Sequence, residues 1–182
     1  MPAIFHLRQA QPADISALEQ LIASSVRGLM PQSYASSQLE AALGTWLGVD
    51  SQLVQDGTYF IVETEHAGRV LMVGCGGWSK RKTPYGSDNR PGREDTLLDA
   101  ANEAARIRAF FVHPEWTRQG IGTLILNACE RAAREAGFLS FELGATLSGV
   151  PLYKKRGYIA RESINLPLAN GENFVIVRMT KE

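Results

Sequence analysis

The stretch Arg118-Gln119-Gly120-Ile121-Gly122-Thr123 sets a guanidinium and two glycines just ahead of a run with helical apolar spacing. A helix start exposes unpaired backbone N–H groups, and its aligned peptide dipoles place partial positive charge there. Gly120 and Gly122 put no side chain between those amides and an anion, and Arg118 adds a full charge beside them. No acidic residue stands between Glu115 and Glu130, so the first helical turn carries no carboxylate to compete with an external anion. The chemistry this pattern suits is phosphate binding. Taken alone, the glycines also suit a strand-to-helix turn that needs small residues for close packing. Two familiar nucleotide loops are excluded: a Walker loop needs Lys and then Ser or Thr after its last glycine, where Thr123 and Leu124 stand, and a dinucleotide fingerprint needs a small residue at Ile125.

Other reactive side chains are sparse. Cys75 and Cys129 each lie in an apolar segment with no His partner nearby in sequence, which argues against a nucleophilic cysteine. His6, His66 and His113 are scattered and show no metal-ligand spacing, so no metal site is expected. Trp78, Tyr85 and Trp116 could line a cleft, and Lys80, Arg81, Lys82, Arg106 and Arg108 could attract an anion or form a solvated face.

The elements that must position these groups follow from periodicity. A strand is expected over 3–9, then a helix over 11–26 with Ile15, Leu18 and Ile22 on one face, and a second helix from Ser36 to near Gly48. Residues 58–78 read as a hairpin turning at Gly68. Ser79 to Asp95 is a long polar loop rich in turn formers, expected on the substrate side. The strand 103–112 alternates Ile107, Ala109 and Phe111 against Arg106, Arg108 and Phe110 before Pro114 stops it. The helix after Gly120 carries Ile121, Leu124, Ile125, Ala128, Cys129, Ala132, Ala133 and Ala136 on one face and ends at Gly137. A strand over 139–145, a short helix within 148–157 and a pair of strands over 158–166 and 173–180 complete a mixed α/β order.

The chain has 182 residues, 45% of them hydrophobic, enough for one core. With 19 basic and 19 acidic residues there is no net field to favour nucleic acid or an anionic membrane. No signal-like N-terminus or membrane-length apolar run is evident, and two cysteines do not make a disulfide framework; a cytoplasmic protein is expected.

The segments FFVHPEWTRQGIGTLIL, GVPLYKKRGY and QPADISALEQLI together resemble the GNAT superfamily of N-acetyltransferases over nearly the whole chain. The resemblance implies a single α/β domain over residues 1–182, with a mixed central sheet of about six to seven strands flanked by helices. It implies acetyl coenzyme A as the acyl-donor cosubstrate. The backbone amides of Arg118, Gln119, Gly120, Ile121, Gly122 and Thr123 would face its pyrophosphate, and the backbone of Phe110, Phe111 and Val112 would pair with its pantetheine arm like an added strand. Thr117 departs from the family motif, which has Gln or Arg there, and Arg118 supplies the charge instead.

Acetyl transfer to an amine needs a neutral amine, a stabilised oxyanion and a proton for the departing thiolate. By resemblance Tyr153 is the general acid, against the plainer role of an aromatic anchoring its helix. Arg106 occupies the position where some relatives carry a glutamate base; Glu103, at the start of the same strand, is the substitute, acting through a water or serving only as a surface carboxylate, and Glu142 is a weaker second. The expected reaction is direct attack by a primary amine of a small molecule in a ternary complex. A protein N-terminus or lysine as acceptor, or a non-catalytic acyl coenzyme A sensor, are the alternatives, and exposed strand edges leave room for a homodimer.

Overall fold

The computed structural model describes residues 1–182. Its strands are β1 (Phe5–Gln9), β2 (Tyr59–His66), β3 (Arg69–Ser79), β4 (Ala105–Val112), β5 (Phe141–Thr146), β6 (Ile159–Pro167) and β7 (Asn173–Lys181). They form one seven-stranded sheet in the order β1-β2-β3-β4-β5-β7-β6, antiparallel throughout except where β4 lies parallel to β5. The helices are α1 (Ile15–Leu29), α2 (Ser36–Ala42), α3 (Ser51–Gln55), α4 (Ile121–Glu135) and α5 (Val150–Lys155). None is long and apolar enough to cross a membrane.

Burial of the two sheet faces accounts for this arrangement. On one face, Leu18, Leu21, Ile22 and Val26 of α1 and Leu39 of α2 form a core with Tyr59, Ile61, Phe111 and Ile176. On the other, Ile121, Ile125, Leu126, Cys129 and Ala133 of α4 pack with Val62, Val73, Ile107, Phe141 and Met179. Leu126 takes the inward place expected of Leu124, which is 37% exposed. Each helix thus buries an apolar stripe at helical spacing against a two-residue strand period.

Three expectations need correction. The second helix ends at Ala42 rather than near Gly48, because Gly44 adopts φ 86° and the chain folds back there. The five-residue α3 follows, begun by the Asp50 carboxylate accepting from the Gln52 amide at 3.1 Å, a cap without a long apolar period to announce it. In β4 the regular alternation fails. Ala105 and Ile107 face α4, but Ala109 and Phe111 pack with α1 on the opposite face. The cause is a bulge opposite Gly76, where Ala109 takes φ 54°.

The long loop between β3 and β4 is pinned by its own polar groups. Arg108 on β4, 2% exposed, donates to the Asp50 carboxylate at 2.6 Å and to the carbonyls of Thr83 and Gly86 at 2.9 and 2.7 Å. Arg93 of the loop clasps the same carboxylate at 3.2 Å, and Ser87 Oγ reaches the Thr45 carbonyl at 2.6 Å. Burial disfavours the Arg108 charge and Asp50 opposes that cost. Removing the carboxylate leaves a buried guanidinium without its counter-charge, so Asp50→Ala is expected to lower unfolding free energy by about 3–5 kcal/mol in denaturant titration.

Candidate active site

The parallel strands β4 and β5 pair only at Ala105–Phe141 and Arg106–Glu142 and then part. β5 continues alongside β7 as far as Thr146–Ile176, while β4 bends away with β3. The facing backbone edges from Ile107 and from Leu143 onward therefore have no strand partner between them. A cleft of about 920 Å³ opens there, lined by residues 107–112 of β4 and 143–146 of β5.

At one end of this cleft lies the glycine turn. Arg118 and Gly120 both adopt left-handed backbone, φ 63° and 84°, and Gly120 caps α4. None of the backbone N–H groups of Arg118, Gln119, Gly120, Ile121, Gly122 and Thr123 finds an acceptor within the chain. Six consecutive free donors thus stand at a helix N-terminus beside the Arg118 side chain, an arrangement of partial positive charge that suits an anion. Arg118, Gly120, Ile121, Gly122 and Thr123 line the cleft, whereas Gln119 lines a smaller hollow with His6, His66 and Trp116. Lys155 and Arg156, at the end of α5, add two cations to the lining.

Tyr153 of α5 lines the cleft. Its ring meets Phe110 edge-on at 6.0 Å and Tyr158 at 5.7 Å, and its hydroxyl makes no hydrogen bond within the chain. Burial pushes its phenol above the ordinary tyrosine range, so Oη keeps its proton. Both cysteines are buried and neither lines the cleft. Burial pushes the Cys75 thiol up to about 12, which suppresses the thiolate.

Glu103 lies elsewhere. It precedes β4, its carboxylate accepts from the Asp99 amide at 2.8 Å in the turn before the strand, and it does not line the cleft. Glu142 bonds Arg106 at 3.3 Å and Arg178 at 2.8 Å at the vertex where β4 and β5 still pair. Neither carboxylate is placed to reach an acceptor in the cleft.

Trp46 and Tyr85, with ring centroids 6.2 Å apart, line the cleft together with Leu29, Met30 and Leu47. Tyr85 and Gly86 come from the pinned loop; no pattern in the sequence marks Trp46, since no spacing links it to Tyr85 39 residues later. Trp78 is buried against Phe138 instead.

A parallel pair that splays after two residues, with a free-amide helix N-terminus beside the opening, defines an α/β protein with a cleft between its central strands. The profile of the Acetyltransferase (GNAT) domain matches residues 55–160, and the chain belongs to the GNAT family of acetyltransferases, which use acetyl coenzyme A. No curated protein sequence matches it. Among solved structures, a GCN5-related N-acetyltransferase from Rhodopseudomonas palustris superposes with a TM-score of 0.70 at 20% identity, over 100% of this chain and 98% of that one. PaiA N-acetyltransferase from Thermoplasma acidophilum, solved with coenzyme A, gives 0.64 at 13% identity, over 98% and 99%. YncA from Salmonella typhimurium, solved with acetyl-CoA, gives 0.62 at 15%, over 98% and 94%. These likenesses establish the fold, and the family match carries the activity class.

Gly120 tests the turn. A Cβ there meets nothing within 4 Å, so its only penalty is the left-handed φ, about 1–2 kcal/mol for a non-glycine residue. Gly120→Ala is expected to weaken coenzyme A binding about tenfold by calorimetry with an unchanged circular-dichroism spectrum.

Proposed function

We propose that the chain transfers an acetyl group from acetyl-CoA to a primary amine of a small molecule, by direct attack in a ternary complex. The observation that carries this reading is a single cleft lined together by the unpaired-amide residues Arg118, Gly120, Ile121, Gly122 and Thr123, by the open β4 edge, by Tyr153 and by the aromatic pair Trp46 and Tyr85. The solved relatives from Thermoplasma and Salmonella, with coenzyme A and acetyl-CoA in their crystals, support the choice of donor.

When bound, acetyl-CoA supplies an acyl group activated as a thioester. The amides of residues 118–123 and the Arg118 guanidinium hold its diphosphate, and the backbone of Phe110, Phe111 and Val112 receives the pantetheine as a strand would be received. Tyr153 holds a proton at Oη and gives it to the departing sulfur. Its raised pKa prevents loss of that proton to solvent at neutral pH. Cys75 and Cys129 stay outside the reaction, since neither touches the cleft. The pinned loop between β3 and β4 walls the acceptor end, which favours a compact acceptor over an extended polypeptide.

Tyr153→Phe is expected to lower kcat about 100-fold while leaving coenzyme A affinity unchanged; an undiminished kcat removes the acid role. Mass spectrometry after a single turnover is expected to find no acetyl group on either cysteine. Coenzyme A binding with no transfer to any member of an amine panel would identify a sensor instead.

A further inference from the structure

The lining of the cleft has an unusual composition for an enzyme that must deprotonate an amine. None of its residues is Asp, Glu or His, whereas Arg108, Arg118, Lys155 and Arg156 are all present. The carboxylates that adjoin it are already engaged. Asp50 is held by Arg108 and Arg93, and Glu142 by Arg106 and Arg178. Glu94, Asp88 and Asp95 of the loop face Lys82, Ser51 and Arg93. The Tyr153 phenol, which burial pushes above the ordinary tyrosine range, holds its proton at neutral pH.

The aromatic wall is closed to a cation in a second way. Arg90 lies 5.2 Å from the Trp46 ring centroid and 4.9 Å from that of Tyr85, and donates to the Tyr85 carbonyl at 2.7 Å. It makes no salt bridge, so its charge is uncompensated. Arg90 does not itself line the cleft, so it backs the wall: its charge opposes a cation drawn to the rings, while their cleft-side surfaces stay open to an aromatic group. Trp46 Nε1 is tied to the Pro167 carbonyl at 3.0 Å, and a Cβ on Gly144 would meet Tyr85 Cδ1 at 3.0 Å, so both rings are fixed in place.

Resting on the acetyltransferase reading above, we infer that the acceptor is an aromatic monoamine whose body is neutral or anionic, and that solvent, not a side chain, removes its ammonium proton. The aromatic part stacks at Trp46 and Tyr85. A second cationic centre finds no carboxylate in the lining and meets the Arg90 charge at the aromatic wall, which disfavours polyamines and basic peptides. The proton balance is complete: water takes one from the ammonium before attack, the neutral nitrogen forms the C–N bond as the C–S bond breaks, the sulfur leaves with the Tyr153 proton, and the phenol recovers one from the attacking nitrogen.

The test uses the intact protein with saturating acetyl-CoA and three probes: tyramine, phenylalaninamide and spermidine. The expected result is kcat/KM for spermidine at least 100-fold below that for tyramine. The rise of kcat/KM with pH should inflect at each aromatic acceptor's own pKa, and so at lower pH for the less basic phenylalaninamide. Arg90→Gln should narrow the tyramine-to-spermidine ratio at least tenfold. Calorimetry of tyramine and spermidine into the coenzyme A complex supplies a readout independent of turnover, with tyramine expected to bind more tightly. Spermidine binding or reacting as well as tyramine overturns the inference, as does one common inflection for both aromatic amines, which would mark a protein base. Failure to bind coenzyme A at all overturns the acetyltransferase reading itself and the acceptor inference with it.

Discussion

The hydrogen bond from Tyr59 Oη to the Ala109 carbonyl, 2.8 Å long, is the contact on which the cleft depends. Ala109 sits at φ 54°, a left-handed conformation that a residue with a Cβ adopts only when its surroundings enforce it. Tyr59 belongs to β2 and must cross β3 to reach β4. It can do so because Gly77 has no side chain: a Cβ there would fall 2.6 Å from Tyr59 Cδ2. The phenol is 1% exposed, and burial keeps it protonated and therefore a donor. The bulge bends β4 and reverses which of its residues face which helix. Without it Phe110 would not reach Tyr153, and β4 would have no local cause to turn from β5 where their pairing ends.

A second constraint is the way charge is sorted. Buried carboxylates sit behind the cleft as anchors and not in it as bases. Asp50, 1% exposed in its side chain, joins α3, β4 and the loop through two arginines. Glu142 closes the vertex of the splay in the same manner. The Arg108 guanidinium is thus a fastening for the loop that supplies Tyr85 and Gly86, and Arg118, Lys155 and Arg156 give the cleft lining a positive character.

Some of this was legible in the sequence and some was not, for physical reasons. The turn and α4 could be read because their determinants are local: two glycines, an absence of acids and a helical apolar period within about two dozen residues. The sheet strands were visible for the same reason. The bulge was hidden, since Ala109 alternates correctly with its neighbours and the tyrosine that holds it lies 50 residues earlier. The Arg108–Asp50 pair spans 58 residues and has no motif at all. Glu103 could be placed only by its position along the strand, which does not show that its carboxylate accepts from the Asp99 amide and lies outside the cleft lining.

The sheet order has one consequence for how the molecule comes together. β7 follows β6 in the chain but lies between it and β5, so the hairpin must dock through its second strand. Until that happens β5 is an unprotected edge, and the wall of the cleft it provides has nothing behind it. A nascent chain emerging from the ribosome can assemble β1 through β4 around α1, but ligand capture waits for the hairpin to zip onto β5. Non-local closure of this kind makes the last docking step the slow one in folding, and the naked strand is where an incompletely made copy would snare another.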